Sequence, residues 1–340
     1  MLRSLQIENF RALREFRMSG LGRVNLLVGT NNCGKTSVLE AIHLLLDETI
    51  EPIIRAQLAR EERLANGSWD TAQLFHGRRI QPGSAFRVHN AEVAITAEVR
   101  SIEPGEKFPN AWAPEVLASM ALDVTWNLGS GRKRMPIPLD SNGGIPGSLV
   151  LYGHVAEKPV ALVATAGIAP SKAAEWLGDV LLTDDEETVL AALRTIEPDL
   201  QRIAAVGLSS KQTDGRIAIT VRGQRVPIGS MGDGIWRLLG VALALVRARG
   251  GVLLVDEIDT GLHYSVLEKM WKLVFETAMR LDVQVFATTH SRDCYEALAA
   301  VTQRDRHEIS IQRIERDKPE AIAFDEAEIQ VAAERGLEVR

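Results

Sequence analysis

The chain has 340 residues, of which 25% are charged and 46% hydrophobic, and a formal net charge of −6. This composition fits a globular protein with one large core or two smaller ones, and it excludes a general packager of nucleic acid coated in basic surface. Cys33 and Cys294 make neither a disulfide framework nor a zinc spacing, and no apolar run reaches the ~20 residues of a membrane helix or resembles a signal peptide, so a soluble cytoplasmic protein without membrane contact is expected.

In chain order, Leu2 to Ile7 reads as a strand and Phe10 to Met18 as a second. Val24 to Val28 is a short apolar run that suits a buried parallel strand, followed by a helix from Gly34 with apolar positions Val38, Leu39, Ile42, Leu45 and Leu46 at helical spacing. A helix is predicted around Ile53 to Leu64, and strands over Val93 to Val99, Leu122 to Trp126 and Val160 to Thr165. Gly129 to Gly147 is rich in Gly, Pro and Ser and reads as a loop or hairpin tip. Within it Gly131-Arg132-Lys133-Arg134 is either a local basic patch or a solvated loop.

Helices are predicted over Ser171 to Leu181, with Ser171 as N-cap, and over Glu186 to Ile196, ended by Pro198. Ile203 to Leu208 and Arg216 to Val221 read as a hairpin about Asp214-Gly215. Asp233 to Arg249 is a long apolar helix. Gly251 to Val255 and Val283 to Thr288 are buried strands joined by a helix over Leu262 to Leu281. Beyond Asp305 come two short strands and a charged helix. Internal repeats, low-complexity segments and sustained heptads are absent from the sequence.

Gly29-Thr30-Asn31-Asn32-Cys33-Gly34-Lys35-Thr36 fits G-x-x-x-x-G-K-[ST] at every fixed position. Glycines let the backbone wrap so that its N–H groups face phosphate oxygens, and a helix N-terminus adds partial positive charge. Gly29, Asn31, Asn32, Cys33, Gly34, Lys35, Thr36 and Ser37 are the expected nucleotide-binding set. In it Lys35 reaches the β- and γ-phosphates of ATP and the Thr36 hydroxyl ligates Mg²⁺. Cys33 either senses redox state through a lowered thiol pKa or is simply tolerated there.

Val252 to Glu257 is an apolar strand ending in two acids: Asp256 for the Mg²⁺ shell and Glu257 as general base. Val285 to Ser291 brings His290 to the C-terminal edge of a buried strand, where it either hydrogen-bonds the γ-phosphate or is a satisfied loop histidine. Ser230-Met231-Gly232-Asp233-Gly234 precedes the long apolar helix. It is either a plain turn with a helix cap or a second anion-binding helix start. Two such starts are hard to use on one nucleotide from one side, so the second points to a head-to-tail pair in which Ser230 and Gly232 cap the γ-phosphate held by the partner.

Together these motifs resemble the ABC-type ATPases. Ile7-Glu8-Asn9-Phe10-Arg11 looks like the opening of the RecF, SMC and OLD-like branch. Asp256 to Tyr264 and Phe286 to Ser291 resemble the OLD-like AAA-family ATPases of bacteria and phage-defence loci. The resemblance covers roughly 1–45 and 225–300. It implies that Asp259 lies in a loop crossing the dimer interface and that Arg11 lies near the nucleotide. It makes Gln73 the candidate Mg²⁺-sensing glutamine, the other reading being a solvated helix-end side chain. Ser-Met-Gly-Asp-Gly replaces the transporter-type Leu-Ser-Gly-Gly-Gln, which disfavours a transporter motor. With about 50 residues after His290, no TOPRIM nuclease domain of the kind in full-length OLD proteins is expected in this chain, so any nuclease is expected to be a separate polypeptide.

The expected fold is α/β, a single ABC-type ATPase domain over 1–340. Segment 48–225, between P-loop and signature, supplies an antiparallel β subdomain and a helical insertion around 165–200. The expected function is ATP binding and hydrolysis that closes a homodimer and controls a separate effector in phage defence, with a TOPRIM-type nuclease as the effector the resemblance implies. The alternative is a RecF-like DNA-repair clamp with DNA as direct partner.

Overall fold

The computed structural model describes residues 1–108, 119–129, 131–147, 159–206, 216–302 and 308–335. The strands are β1 (Leu5–Phe10), β2 (Leu13–Met18), β3 (Val24–Val28), β4 (Ala85–His89), β5 (Ala94–Ser101), β6 (Met120–Leu128), β7 (Gly131–Leu139), β8 (Val160–Val163), β9 (Leu200–Val206), β10 (Arg216–Val221), β11 (Gln224–Pro227), β12 (Val252–Val255), β13 (Gln284–Thr288), β14 (Ile309–Arg313) and β15 (Ile322–Phe324). The helices are α1 (Lys35–Asp47), α2 (Glu51–Ala59), α3 (Pro170–Val180), α4 (Glu186–Arg194), α5 (Asp233–Arg247), α6 (Tyr264–Leu281), α7 (Arg292–Val301) and α8 (Glu326–Glu334), with 3₁₀ turns at Thr71–Leu74 and Ile228–Met231.

Among the described residues the strands form three sheets. A core sheet runs β15-β14-β3-β13-β12-β8, parallel except for its edge strand β15. An antiparallel sheet runs β2-β1-β4-β5-β6-β7, and a small one β11-β10-β9. Alternation along β12 separates two cores: Leu253 and Val255 pack with residues of α3, α5, α6 and α7, while Leu254 packs with α1 and the antiparallel sheet. Helix α1 is therefore sandwiched between sheets, and nine of its thirteen residues are buried. Trp126 on β6 pins it by donating from its indole to the Leu44 carbonyl at 3.3 Å.

Several local expectations are corrected. The segment expected as a loop or hairpin tip holds most of a strand, β7, which pairs with β6 from Gly131↔Leu128 to Leu139↔Met120. Pro136 and Pro138 hid it, but β7 is an edge strand, where a missing N–H is harmless. The basic run lies on this strand, with Lys133 donating to the Glu48 carbonyl at 2.8 Å and Arg134 paired with Asp123. Strand β4 escaped notice because Arg87 and His89 interrupt its apolar pattern.

Helix α2 ends at Ala59 rather than Leu64, where the chain turns through Glu61 at φ 55°. The N-cap of α3 is Ala169, not Ser171, since Pro170 takes the first helical position. The expected turn at Asp214-Gly215 lies outside the described residues. A second hairpin, β10 to β11, turns at Arg222-Gly223 with both φ positive, the two-residue geometry that matches strand twist. Strand β8 comes from within 48–225 yet joins the core sheet beside β12.

Candidate nucleotide site

The C-terminal ends of β3, β12, β13 and β8 meet at one edge of the core sheet, where ligands sit in open α/β sheets. The loop from Gly29 to Gly34 joins β3 to α1. Gly29, Asn32 and Gly34 have φ of 144°, 60° and 107°, which curls the backbone into an anion-sized concavity. At Gly29 a Cβ would stand 2.3 Å from the Ile314 carbonyl oxygen and 2.9 Å from Cys33 Sγ, so only glycine fits. Lys35 is buried and donates to the carbonyls of Gly29 at 2.8 Å and Thr30 at 2.9 Å, arching over its own loop. Ser37 and Cys33 are buried beneath it, whereas Asn31 and Asn32 are exposed.

Asp256 follows β12 and is surrounded by hydroxyls. Thr36 donates toward its carboxylate at 3.2 and 3.3 Å, Thr288 at 2.7 Å and Thr165 at 2.9 Å. A carboxylate with convergent hydroxyl oxygens at a phosphate loop is a donor set that fits a hard divalent cation sharing its shell with phosphates and water. Glu257 has φ 50°, and its N–H donates to Thr288 Oγ1 at 2.7 Å. Its carboxylate lies 3.7 Å from Nδ1 of His290 and accepts from Thr260 at 3.3 Å. A carboxylate so placed can take a proton from water, and the adjacent imidazole can orient it.

Asn31 to Ser37, Asp256, Glu257, Thr288 and His290 line one cleft of about 950 Å³ that also takes in Arg11 and Gln73. Arg11 is buried at φ 51° and pairs with Glu40 at 2.5 Å and Glu62 at 2.8 Å. Burial pushes the Glu40 carboxyl up, against the pull of Arg11 and Arg60. Gln73 sits on the 3₁₀ turn and donates to Asp70 at 2.8 Å. Ser230, Gly232 and Asp259 do not line the cleft. Ser230 is exposed and donates to the Pro227 carbonyl at 2.7 Å, a Cβ on Gly232 would meet nothing within 4 Å, and Asp259 accepts from Thr289 at 2.7 Å.

Sequence reasoning missed Thr165, Thr288 and Arg237. Thr288 stood inside a quoted motif. Thr165 closed a predicted strand, and a hydroxyl at a parallel strand's C-terminal end was the available signal. Arg237 is the cation that interrupts the apolar run of α5.

Residues 191–293 match the family described as "AAA domain, putative AbiEii toxin, Type IV TA system", and residues 1–95 match "AAA ATPase domain". The chain is 21% identical over 334 residues to an "ATP/GTP phosphatase" of Helicobacter pylori, covering 88% of each. It is 48% identical over 44 residues to the "DNA replication and repair protein RecF" of Clostridioides difficile, but that match spans only 13% of this chain and 12% of that protein. Among solved structures, an SmcHead bound to the C-winged helix domain of ScpA superposes with a TM-score of 0.50 at 12% identity, covering 95% of this chain and 98% of that one. The fold is thus the head fold of ABC-type P-loop proteins.

Proposed function

We propose that this chain, an ATPase built on the ABC-type P-loop head, works as a dimerising switch of the OLD-like kind that governs a separate effector in bacterial phage defence. The carrying observation is the separation of two anion-binding elements. Lys35, Thr36, Asp256 and Glu257 share one cleft, while Ser230 and Gly232 stand outside it, exposed on the same chain. A second copy placed head to tail would bring its own Ser230 and Gly232 over the open side of that cleft. Asp259, in the loop after Glu257, would lie at the seam.

In the reaction, Lys35 leaves the Gly29 and Thr30 carbonyls to meet the β- and γ-phosphates, and the loop N–H groups hold their oxygens. Thr36 and Asp256 would hold Mg²⁺, with Thr165 and Thr288 orienting the Asp256 carboxylate. Mg²⁺, when bound, neutralises charge developing on the phosphate oxygens. Glu257 accepts the proton of the attacking water, and His290 holds that water or the γ-phosphate. Arg11 approaches the nucleotide from the antiparallel sheet, and Gln73 is the candidate that senses the metal there. The defence setting and a TOPRIM-type nuclease as effector rest on the resemblance of Asp256 to Tyr264 and Phe286 to Ser291 to OLD-like ATPases, while the match of 191–293 supports the ATPase reading itself. The RecF likeness supports a second reading, a clamp acting directly on DNA, for which DNA alone would stimulate hydrolysis.

Glu257→Gln tests the proposal. The amide keeps the shape but accepts no proton, so the variant should bind ATP, stop turning over and accumulate as a dimer in light scattering. A monomer at saturating ATP, or parental turnover, would reject it.

A further inference from the structure

Arg237 is a buried cation in the second turn of α5, and it is spent on main-chain carbonyls. Its guanidinium donates to Ala164 at 2.7 Å and to Thr165 at 3.4 Å, just beyond β8. On the neighbouring strand end it donates to the carbonyl of Asp256 and, at 2.7 Å, to that of Glu257. One side chain thus ties two parallel strand ends at the edge that carries the acids. Burying a cation is costly unless its donors are met, and here carbonyls meet both terminal nitrogens where carboxylates usually would, while Nε is buried without a hydrogen-bond partner.

The carbonyls bound are those of the two acids themselves. Glu257 is held at φ 50°, which disfavours a residue with a Cβ by about 1 kcal/mol or more and persists only where neighbours impose it. Arg237 on one side and Thr288, bonded to the Glu257 N–H, on the other fix the peptide planes about that residue. The start of α5 adds a second contact with the same loop. A Cβ on Gly234 would lie 2.9 Å from the Gly261 carbonyl, so the first turn of the helix sits directly on the chain after Glu257.

We propose that Arg237 is a positioning residue for hydrolysis, which makes the orientation of Glu257 depend on the placement of α5, the helix that Ser230 and Gly232 precede. The proposal rests on Glu257 acting as base. Arg237 does not line the cleft, so it acts through the strand ends, within its own chain.

Arg237→Met and Arg237→Lys test it, with folding followed by thermal melting. The expected result is an ATP dissociation constant near the parental value with kcat reduced about a hundredfold for Met, as displacement of a catalytic group by about 1 Å can cause. Lys, with three donors for two strands, should fall between. Parental kcat in folded Arg237→Met would overturn the proposal, as would equal loss of binding and turnover.

A mixing experiment separates this inference from the dimer reading. In a head-to-tail dimer, Ser230→Arg spoils the partner's site and Lys35→Ala its own, so mixing those two restores activity in part. Failure there rejects the head-to-tail dimer and leaves the kcat test of Arg237 standing. If that control recovers, Ser230→Arg mixed with Arg237→Met should recover too, because both lesions fall in one composite site. Absence of recovery would place the Arg237 lesion at the signature element and overturn its action through Glu257.

Discussion

Thr165 donates to Oδ2 of Asp256 at 2.9 Å, although the two residues are 91 positions apart and follow different strands. The contact exists because β8 pairs in parallel with β12, Val163 opposite Val255, so that the residues just beyond each strand come together. With Thr36 and Thr288, Thr165 completes a ring of hydroxyls about one carboxylate.

Replacing Thr165 by Val keeps its shape and removes the hydroxyl. Groups that orient a metal-binding carboxylate affect affinity by about 10- to 100-fold. The Mg²⁺ concentration for half-maximal ATP hydrolysis should rise about tenfold, near the lower end of that range, with little change in melting temperature. A Mg²⁺ titration that superimposes on the parent would remove Thr165 from the groups that orient Asp256.

Lys35→Ala removes the ammonium that bridges Gly29 and Thr30 and is expected to meet the β- and γ-phosphates. Calorimetric titration with ATP should show no saturable heat. Micromolar binding by the variant would mean that the loop binds nucleotide through its backbone alone.

Asp47, at the end of α1, supplies a pH-dependent test of stability. Burial pushes its carboxyl up, but contacts with His43 and Thr49 outweigh that and hold it below its ordinary value of 3.8. A depressed folded-state pKa gives stability that is present above the unfolded value and lost as the pH falls through the folded one. Asp47→Asn should therefore lower stability at neutral pH by about 1.5 kcal/mol, the lower end for a hydrogen bond to a charged group because the carboxylate is partly solvated. The gap should close below pH 3.8. Thermal melts across that range check this, and a gap independent of pH would assign the loss to packing.

The P-loop could be read directly because its glycines are dictated by backbone geometry, Gly29 having no room for a Cβ and Gly34 needing its positive φ, while Lys35 and Thr36 are dictated by phosphate and metal chemistry. The strands leading to Asp256 and to His290 could be read because burial on both faces makes β12 wholly apolar and gives β13 an apolar centre from Val285 to Ala287. Thr165 could not be assigned, since its role depends on β8 pairing with a strand made much later, and nothing local encodes that pairing. Strand β7 was hidden by prolines that only an edge position allows, and edge position is a property of the sheet. Arg237 was visible as an oddity in an apolar helix, but its acceptors are main-chain atoms, which no side-chain pattern records.

Strand β3, which leads into the P-loop, lies between β14 and β13. The Val24 N–H donates to the Glu308 carbonyl at 2.8 Å, the Ile314 N–H to Val28 at 2.9 Å, and the Ile314 carbonyl packs against Gly29. Both neighbours of this early strand are thus translated late. During synthesis the loop that will cradle phosphate is made well before its flanking walls, which are complete only when Ile314 has left the ribosome. Such long-range pairing slows folding and leaves strand edges open meanwhile. Nucleotide binding is therefore acquired only once β14 has been made, and a ribosome-bound chain stalled before β14 should be a client for chaperones and unable to retain ATP.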